Sequence, residues 1–144
     1  MKYNIKLLRE SELLTQKEVA ELLGCSQRCY GYYDAEKHDI PTQTLIKLAD
    51  IYNVSADYVL NRTANGKTDC INKEITLQFK SVRKAHGYTQ SDVAKAIFVT
   101  QRTYSYYETG ERDIPTQTLI RLADFYNVSV DFLLGRTENP KMNI

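Results

Sequence analysis

The sequence lacks the features of membrane, exported and disordered proteins. No stretch approaches the ~18 consecutive apolar residues that a membrane-spanning helix needs. The opening letters MKYNIKLLRESELL carry Arg9 and Glu10 where an export signal would need an apolar core. Only three prolines and six glycines occur among 144 residues, and 42% of the chain is hydrophobic, which is typical of a globular protein. We therefore expect a soluble, cytoplasmic protein.

Cysteine and histidine are also scarce, and this limits the chemistry open to the chain. The three cysteines (Cys25, Cys29 and Cys70) do not suggest a disulfide framework, because no export signal accompanies them. Cys25 and Cys29 have helical spacing, but no further Cys or His completes a metal site. We interpret them as small, half-buried thiols, with a redox switch as the alternative. His38 and His86 are isolated, and no catalytic cluster or phosphate-binding glycine loop accompanies them, so we expect neither an enzyme nor a cofactor.

The overall charge does not by itself favour a nucleic-acid binder, because the net charge is only +1. Residues 1–66 hold 8 Lys and Arg against 9 Asp and Glu, a net charge of −1. Residues 75–144 hold 9 against 7, a net charge of +2. Any affinity for DNA must therefore come from the local placement of charge, which favours the second half.

What the chain does contain is an internal repeat. Shifted by 74 positions without a gap, residues 1–66 match residues 75–140 at 31 positions. The matches are concentrated in 39–63, where 19 of 25 residues agree, whereas only 11 of 38 agree in 1–38. Each copy is just large enough to fold alone. The repeat predicts a first domain at 1–65, a linker at 66–73, a second domain at 74–138 and a tail at 139–144.

Each copy is predicted to form five short helices and no strand. The first helix is amphipathic, with Met1, Ile5 and Leu8 in one copy and Ile75, Phe79 and Val82 in the other. Further signals mark where helices begin and where they cross. Thr15, Ser26 and Thr89 are capping residues, and Pro41 and Pro115 suit a first helical turn. Small Ala20 and Ala94 suit a helix crossing, Gly24 suits a turn that requires positive φ, and an apolar series is formed by Leu45, Leu48, Ala49 and Tyr52.

Helices 2 and 3, joined by a turn of three residues, have the pattern of a helix-turn-helix. The second copy carries it in Thr89-Gln90, Val93-Ala94, Val99-Thr100-Gln101-Arg102-Thr103, Tyr107-Glu108-Thr109-Gly110, Ile114-Pro115, Leu119, Leu122-Ala123 and Val128-Ser129-Val130-Asp131-Phe132-Leu133-Leu134-Gly135. With these residues each copy resembles the phage-repressor-like (Cro and XRE type) helix-turn-helix domain. The resemblance implies an all-α protein of two tandem five-helix lambda-repressor-like DNA-binding domains.

The resemblance also implies which residues would face DNA. The third helix would enter the major groove with its N-terminal residues foremost, where Gln can pair with adenine and Arg with guanine. The expected base contacts are Gln27, Arg28, Tyr32, Gln101, Arg102, Ser105 and Tyr106. The expected phosphate contacts are Gln16, Lys37, His38, Gln90, Thr100 and Arg112. A structural ion pair is implied between Arg9 and Asp34 and between Arg83 and Glu108, whereas Tyr30, Tyr33, Tyr104 and Tyr107 are expected in the core.

The two copies differ at places that bear on binding. The second copy has Gly110 available to end its third helix, while the first has Gly31 inside that helix and no glycine after it. Conversely, Phe98 stands where the first copy has Gly24, which leaves open whether the turn keeps its geometry or Phe98 projects outward. We expect the second copy to bind DNA better and the first to bind more weakly or read another sequence.

Two classes of function remain. The first is sequence-specific binding of double-stranded DNA by a transcriptional regulator, most simply a repressor of phage or bacterial type, whose two domains share a high effective concentration. The alternative is a protein-interaction module, such as an antirepressor or antitoxin-like partner. A homodimer or an intrachain pseudo-dimer through helices 4 and 5 would fit the first class.

Overall fold

The computed structural model describes residues 2–66 and 77–141, and these divide into two compact units. Each described range holds five helices and no strand, which confirms the predicted all-α fold. Unit 1 contains α1 Ile5–Ser11, α2 Gln16–Leu23, α3 Gln27–Asp34, α4 Thr42–Tyr52 and α5 Ala56–Val59. Unit 2 contains α6 Phe79–Ala85, α7 Gln90–Ala96, α8 Gln101–Thr109, α9 Thr116–Tyr126 and α10 Val130–Leu133. Met1, Cys70, Ile75, most of the predicted linker and the last three residues lie outside the described residues.

Side-chain caps fix where the second helix of each unit begins. Thr15 Oγ1 accepts a hydrogen bond from Glu18 N at 3.2 Å, and Glu18 Oε2 accepts one from Thr15 N at 2.7 Å. Thr89 and Asp92 repeat this reciprocal capping box in unit 2. Two otherwise unpaired backbone N–H groups are satisfied at each helix start, as the predicted spacing requires.

The core of each unit lies between the inner faces of its helices. Tyr30 and Tyr104 are completely buried, and Ala20 and Ala94 are nearly so, which confirms the predicted inner face and the close helix crossing. Tyr33 and Tyr107 are also buried. Because these four tyrosines of α3 and α8 face inward, the Gln and Arg residues on the opposite face are left at the surface.

The two prolines stand one residue earlier than predicted. Pro41 and Pro115 are the N-cap residues of α4 and α9, and not members of the first helical turn. Their ψ angles of 147° and 144° are extended, so the chain turns into the helix only after them. Their φ angles of −59° and −60° match the value that the proline ring imposes.

The turn before the third helix has the same backbone geometry in both units despite the exchange of glycine for phenylalanine. Gly24 has φ 74° and Phe98 has φ 62°. Phe98 is 79% exposed, so the turn keeps its left-handed geometry and the side chain also projects outward.

The residues just after the third helix also share a left-handed backbone conformation in the two units. Glu36 has φ 58° at the position that corresponds to Gly110, which has φ 79°. The Glu36 carboxylate accepts hydrogen bonds from Lys2 N at 3.0 Å and Tyr3 N at 2.8 Å. Contacts outside the helix therefore hold a left-handed residue that the sequence did not predict in unit 1.

Candidate nucleic-acid interface

The first two residues of the third helix project into solvent in both units. Gln27 and Arg28 open α3, Gln101 and Arg102 open α8, and all four side chains are exposed. The start of each helix is fixed by a cap: Ser26 Oγ accepts from Cys29 N, and Thr100 Oγ1 accepts from Thr103 N, each at 3.1 Å. The cap holds the helix tip in one orientation, so the two side chains leave it in defined directions.

The arginine of each tip is held by a tyrosine one turn further along. Arg28 Nε donates to the Tyr32 hydroxyl at 3.0 Å, and Arg102 Nε donates to the Tyr106 hydroxyl at 2.9 Å. The guanidinium carbon lies 6.0 Å from the ring centroid in unit 1 and 5.8 Å in unit 2, within the range of a cation–π contact. These bonds occupy Nε, so they leave the two Nη groups available for an outside acceptor.

The glutamine at the start of the second helix is tied to the third helix. Gln16 Nε2 donates to Asp34 Oδ2 at 3.1 Å, and Gln90 Nε2 donates to Glu108 Oε2 at 2.9 Å. An amide nitrogen carries two hydrogens. One holds the carboxylate, and the other remains for a phosphate in the role predicted for Gln16 and Gln90.

The structure brings both predicted ion pairs together. Arg9 Nε lies 3.0 Å from Asp34 Oδ1, and Arg83 Nε lies 2.5 Å from Glu108 Oε1. Each arginine also donates through Nη1 to a backbone carbonyl just before the second helix, at 2.9 Å in both units. One guanidinium thus joins the first helix, the turn before the second and the end of the third.

Burial and hydrogen bonding act in opposite directions on these carboxylates. Burial alone would raise the pKa of Asp34, but hydrogen bonds from Arg9 and Gln16 outweigh it and hold that pKa below its ordinary value. The pKa of Glu108 is lowered in the same way by hydrogen bonds from Arg83 and Gln90, against the effect of burial. Both carboxylates are therefore charged when the protein is folded near neutral pH.

The remaining predicted contacts surround the same helix. In unit 1, Lys37 and His38 are exposed after α3, and the His38 ring stacks on Tyr32 with centroids 4.3 Å apart. In unit 2, the Arg112 guanidinium lies 4.6 Å from the Tyr106 ring centroid. Thr100 is exposed at the cap, and Ser105 is half-buried on α8. In each unit an arginine of the helix tip and a residue of the following loop thus lie against the ring of Tyr32 or Tyr106. We call this outer side of the third helix the reading face.

Two features of the site were missed from sequence. The hydroxyls of Tyr32 and Tyr106, predicted as base contacts, accept from arginine, and the two glutamines bond to the carboxylates of the ion pairs. The Arg–Tyr bond could have been predicted, because Arg and Tyr four residues apart face each other on a helix. The bond from glutamine to carboxylate joins residues 18 apart in sequence, so it depends on how the helices cross.

The two described cysteines show no metal site. Cys25 and Cys29 are half-buried free thiols, and Cys29 Sγ donates to the Tyr33 hydroxyl at 3.4 Å. Burial raises the pKa of Cys25, which favours the protonated thiol. Across residues 2–66 and 77–141, no three His, Cys, Asp or Glu side chains are grouped to hold a metal ion. None of the helices in those ranges is long and apolar enough to cross a membrane.

Known proteins resemble part of the chain. The HTH-type transcriptional regulator ImmR of Bacillus subtilis is 41% identical over 66 residues, which are 46% of this chain and 52% of that protein. The cryptic phage CTXphi transcriptional repressor RstR of Vibrio cholerae is 40% identical over 55 residues, 38% of this chain and 48% of that protein. A crystal structure of a transcriptional regulator from Listeria innocua shares 32% identity, with a TM-score of 0.40 over 43% of this chain and 58% of that one.

These relatives match this chain over only part of their own length. The chain spans about half the length of the curated relatives it matches. The helix-turn-helix family model, in contrast, matches the chain twice, at residues 5–59 and 79–133, which together make up most of it. The matched ranges begin at the first helix and end at the fifth helix of each unit. The chain therefore belongs to the helix-turn-helix family and contains two tandem copies of its domain.

Proposed function

We propose that the chain is a transcriptional regulator that binds specific sequences of double-stranded DNA, and that it acts as a repressor of phage or bacterial type in the cytoplasm. One observation carries the proposal. Each unit begins its capped third helix with an exposed Gln-Arg pair, Gln27-Arg28 in one and Gln101-Arg102 in the other. Helix tips of this kind fit the major groove, which is about 12 Å wide.

The chemistry of each tip matches the edges of base pairs. A Gln amide can donate to adenine N7 and accept from adenine N6, and an Arg can donate from two nitrogens to guanine O6 and N7. Because Nε of Arg28 and Arg102 is held by tyrosine, the two Nη groups are presented together. Each bidentate pair would discriminate against a wrong base by about 1–3 kcal/mol.

The surroundings of each tip provide the phosphate contacts. Gln16 and Gln90 lie at the start of the second helix, where backbone N–H groups also favour an anion. Lys37, His38 and Arg112 lie in the loop after the third helix, and all three are exposed. Such contacts position the protein and make binding dependent on salt.

Titration of duplex DNA tests the proposal. The whole chain is first used to enrich a sequence from random duplexes. Its affinity for that sequence and for a scrambled duplex is then measured at about 50 mM and about 200 mM salt. A binder that neutralises several phosphates loses affinity steeply between these two concentrations. The variant Arg102→Ala should lose affinity for the enriched sequence. Lys80→Ala is the control, because it removes one positive charge from an exposed position on α6. Failure to enrich any sequence would contradict the proposal.

A second candidate is a module that binds a protein partner. It is favoured by Phe98, a large apolar side chain 79% exposed at the turn of the unit 2 helix-turn-helix, and by the near-zero net charge. The same titration separates the two candidates. A partner-binding module would show little affinity for DNA at either salt concentration, and Phe98→Ala would leave the DNA titration unchanged.

Self-association through the fourth and fifth helices would accompany the DNA-binding function. In unit 2 the end of α9 carries Phe125, which is 37% exposed and has its ring centroid 5.2 Å from that of Tyr88. This exposed aromatic pair is a suitable surface for a second chain. Analytical ultracentrifugation tests it: Phe125→Ser should shift the protein towards the monomer, and a concentration-independent monomer in the parent protein would exclude the dimer.

A further inference from the structure

We propose that the two units read the same pair of adjacent bases, so that the target DNA contains two copies of one short core sequence. This inference rests on the proposed DNA binding and goes further, because it specifies how the two halves of the target are related. Of the two alternatives expected for unit 1, weaker binding or the reading of another sequence, it replaces the second.

The second and third helices differ in how far their exposed residues have diverged. On α2, exposed Lys17, Glu21 and Leu22 correspond to Ser91, Lys95 and Ala96, so all three have changed. A solvated position tolerates such changes at little cost in stability.

The tip of the third helix has not changed. Gln27 and Arg28 are exposed, and so are Gln101 and Arg102, yet both pairs are identical. Burial cannot account for this identity, since none of the four side chains belongs to the core. A shared external target accounts for it.

The geometry around the tips is equivalent as well. The two Arg–Tyr hydrogen bonds measure 3.0 and 2.9 Å, and the two cation–π distances measure 6.0 and 5.8 Å. The N-cap bonds are both 3.1 Å. In each unit the turn before this helix has left-handed backbone, at Gly24 and at Phe98. The same side chains are therefore presented by the same local frame within each unit.

Two differences between the copies on the reading face should change how the bases beside the shared core are read. Cys29 corresponds to Thr103, and Gly31 corresponds to Ser105. A threonine methyl group can contact thymine, and a serine hydroxyl can bond to several bases, whereas glycine offers no side chain. The shared core is expected to be an adjacent A·T and G·C pair, and the flanking bases are expected to matter more in the copy read by unit 2.

Selection from random duplexes by the whole chain is the first test. The expected result is two copies of one core. Two unrelated cores, or a single core without a second copy, would overturn the inference while leaving DNA binding intact. No enrichment at all would instead contradict the proposed function, so the two failures are distinguishable.

Full-length variants test whether both units recognise the same core. The double variant Gln27→Ala, Arg28→Ala and its counterpart Gln101→Ala, Arg102→Ala remove one tip each and alter only exposed side chains. Against a duplex with both copies intact, each variant should lose affinity by about tenfold or more. With one copy scrambled, each variant should still bind whichever copy remains, because either tip recognises the same core. A variant that binds only when one particular copy remains would show that the units read different cores and would overturn the inference.

Discussion

Gln90 Nε2 donates to Glu108 Oε2 at 2.9 Å, so the residue predicted to bind phosphate is bonded to the carboxylate that also holds Arg83. Gln16 and Asp34 repeat this bond in unit 1. The anchor of the recognition helix and the phosphate contact are therefore parts of one hydrogen-bonded cluster. A change in the ion pair should alter both the stability of the unit and the placement of the glutamine.

The first prediction concerns the loss of the arginine in this cluster. Arg83→Ala should destabilise unit 2 by about 3–5 kcal/mol, because it leaves the buried Glu108 charge without its partner. The Glu108 side chain is only 3% exposed. Amide hydrogen exchange followed by mass spectrometry should show faster exchange in the peptides of 77–141, while the peptides of 2–66 keep their protection.

Arg9→Ala is the matched control, since it should produce the opposite pattern, with loss of protection confined to 2–66. An Arg83→Ala variant with unchanged protection would show that the pair contributes nothing to the fold. The comparison is made within one chain, so both units experience identical solution conditions.

The second prediction is a loss of stability in acid. The folded-state pKa of both Asp34 and Glu108 lies below the ordinary value, so the unfolded chain binds protons first as the pH falls. The stabilisation is fully present above the ordinary pKa values. It should decrease below about pH 4.5 and disappear as the pH passes the lowered folded-state pKa values. Urea unfolding between pH 7 and pH 3 measures this decrease, and Glu108→Gln should make unit 2 less sensitive to acid.

The sequence predicted much of the local structure because local signals determine it. Thr15 with Glu18 predicted a reciprocal cap that the structure contains, and the spacing of Tyr30 and Tyr33 predicted a buried face. These features depend on neighbours within one or two helical turns, which a single sequence displays directly.

The features that escaped prediction depend on contacts distant in sequence. Glu36 adopts left-handed backbone without being glycine, and its carboxylate is bonded to the backbone of Lys2 and Tyr3, more than 30 residues away. Phe98 shows that a turn can retain its shape when the residue that best suits it is replaced. The backbone conformation at such positions depends on whether contacts with distant residues outweigh the backbone strain. A local sequence pattern does not show this.

The third prediction is that alanine will have opposite effects at two glycines of unit 1. Gly24 has φ 74°, and a Cβ added there would meet no heavy atom within 4 Å, so Gly24→Ala should cost about 1–2 kcal/mol through backbone strain alone. Gly31 lies inside α3, and a Cβ there would meet Gln16 Oε1 at an ordinary 3.5 Å. Gly31→Ala should therefore stabilise unit 1 by about 0.5–1 kcal/mol.

Hydrogen exchange in the peptides of 2–66 measures both changes. The two substitutions add the same methyl group to the same unit, so each is the control for the other. A Gly24→Ala variant that keeps or gains protection would show that the left-handed conformation does not limit substitution there. A Gly31→Ala variant that loses protection would show that α3 cannot accept the added methyl group.

The last prediction separates two roles for the tyrosine of the reading face. Tyr106 accepts a hydrogen bond from Arg102 Nε at 2.9 Å, and its ring lies 4.6 Å from the Arg112 guanidinium. Tyr106→Phe removes the hydroxyl and keeps the ring, so it should free the Arg102 side chain without disturbing the contact with Arg112. We expect about a 3- to 10-fold loss of affinity for the enriched duplex, the equivalent of one exposed hydrogen bond. Affinity for scrambled DNA and the stability of unit 2 should not change.

The double variant Tyr106→Phe, Arg102→Ala shows whether the tyrosine acts through the arginine. If Tyr106 only positions Arg102, the hydroxyl should have no further effect once the arginine is absent, and the double variant should bind like Arg102→Ala alone. An additional loss of affinity would mean that the hydroxyl contacts DNA itself, as the sequence predicted. Tyr32→Phe, combined with Arg28→Ala, repeats the measurement in unit 1, where the corresponding hydrogen bond is 3.0 Å.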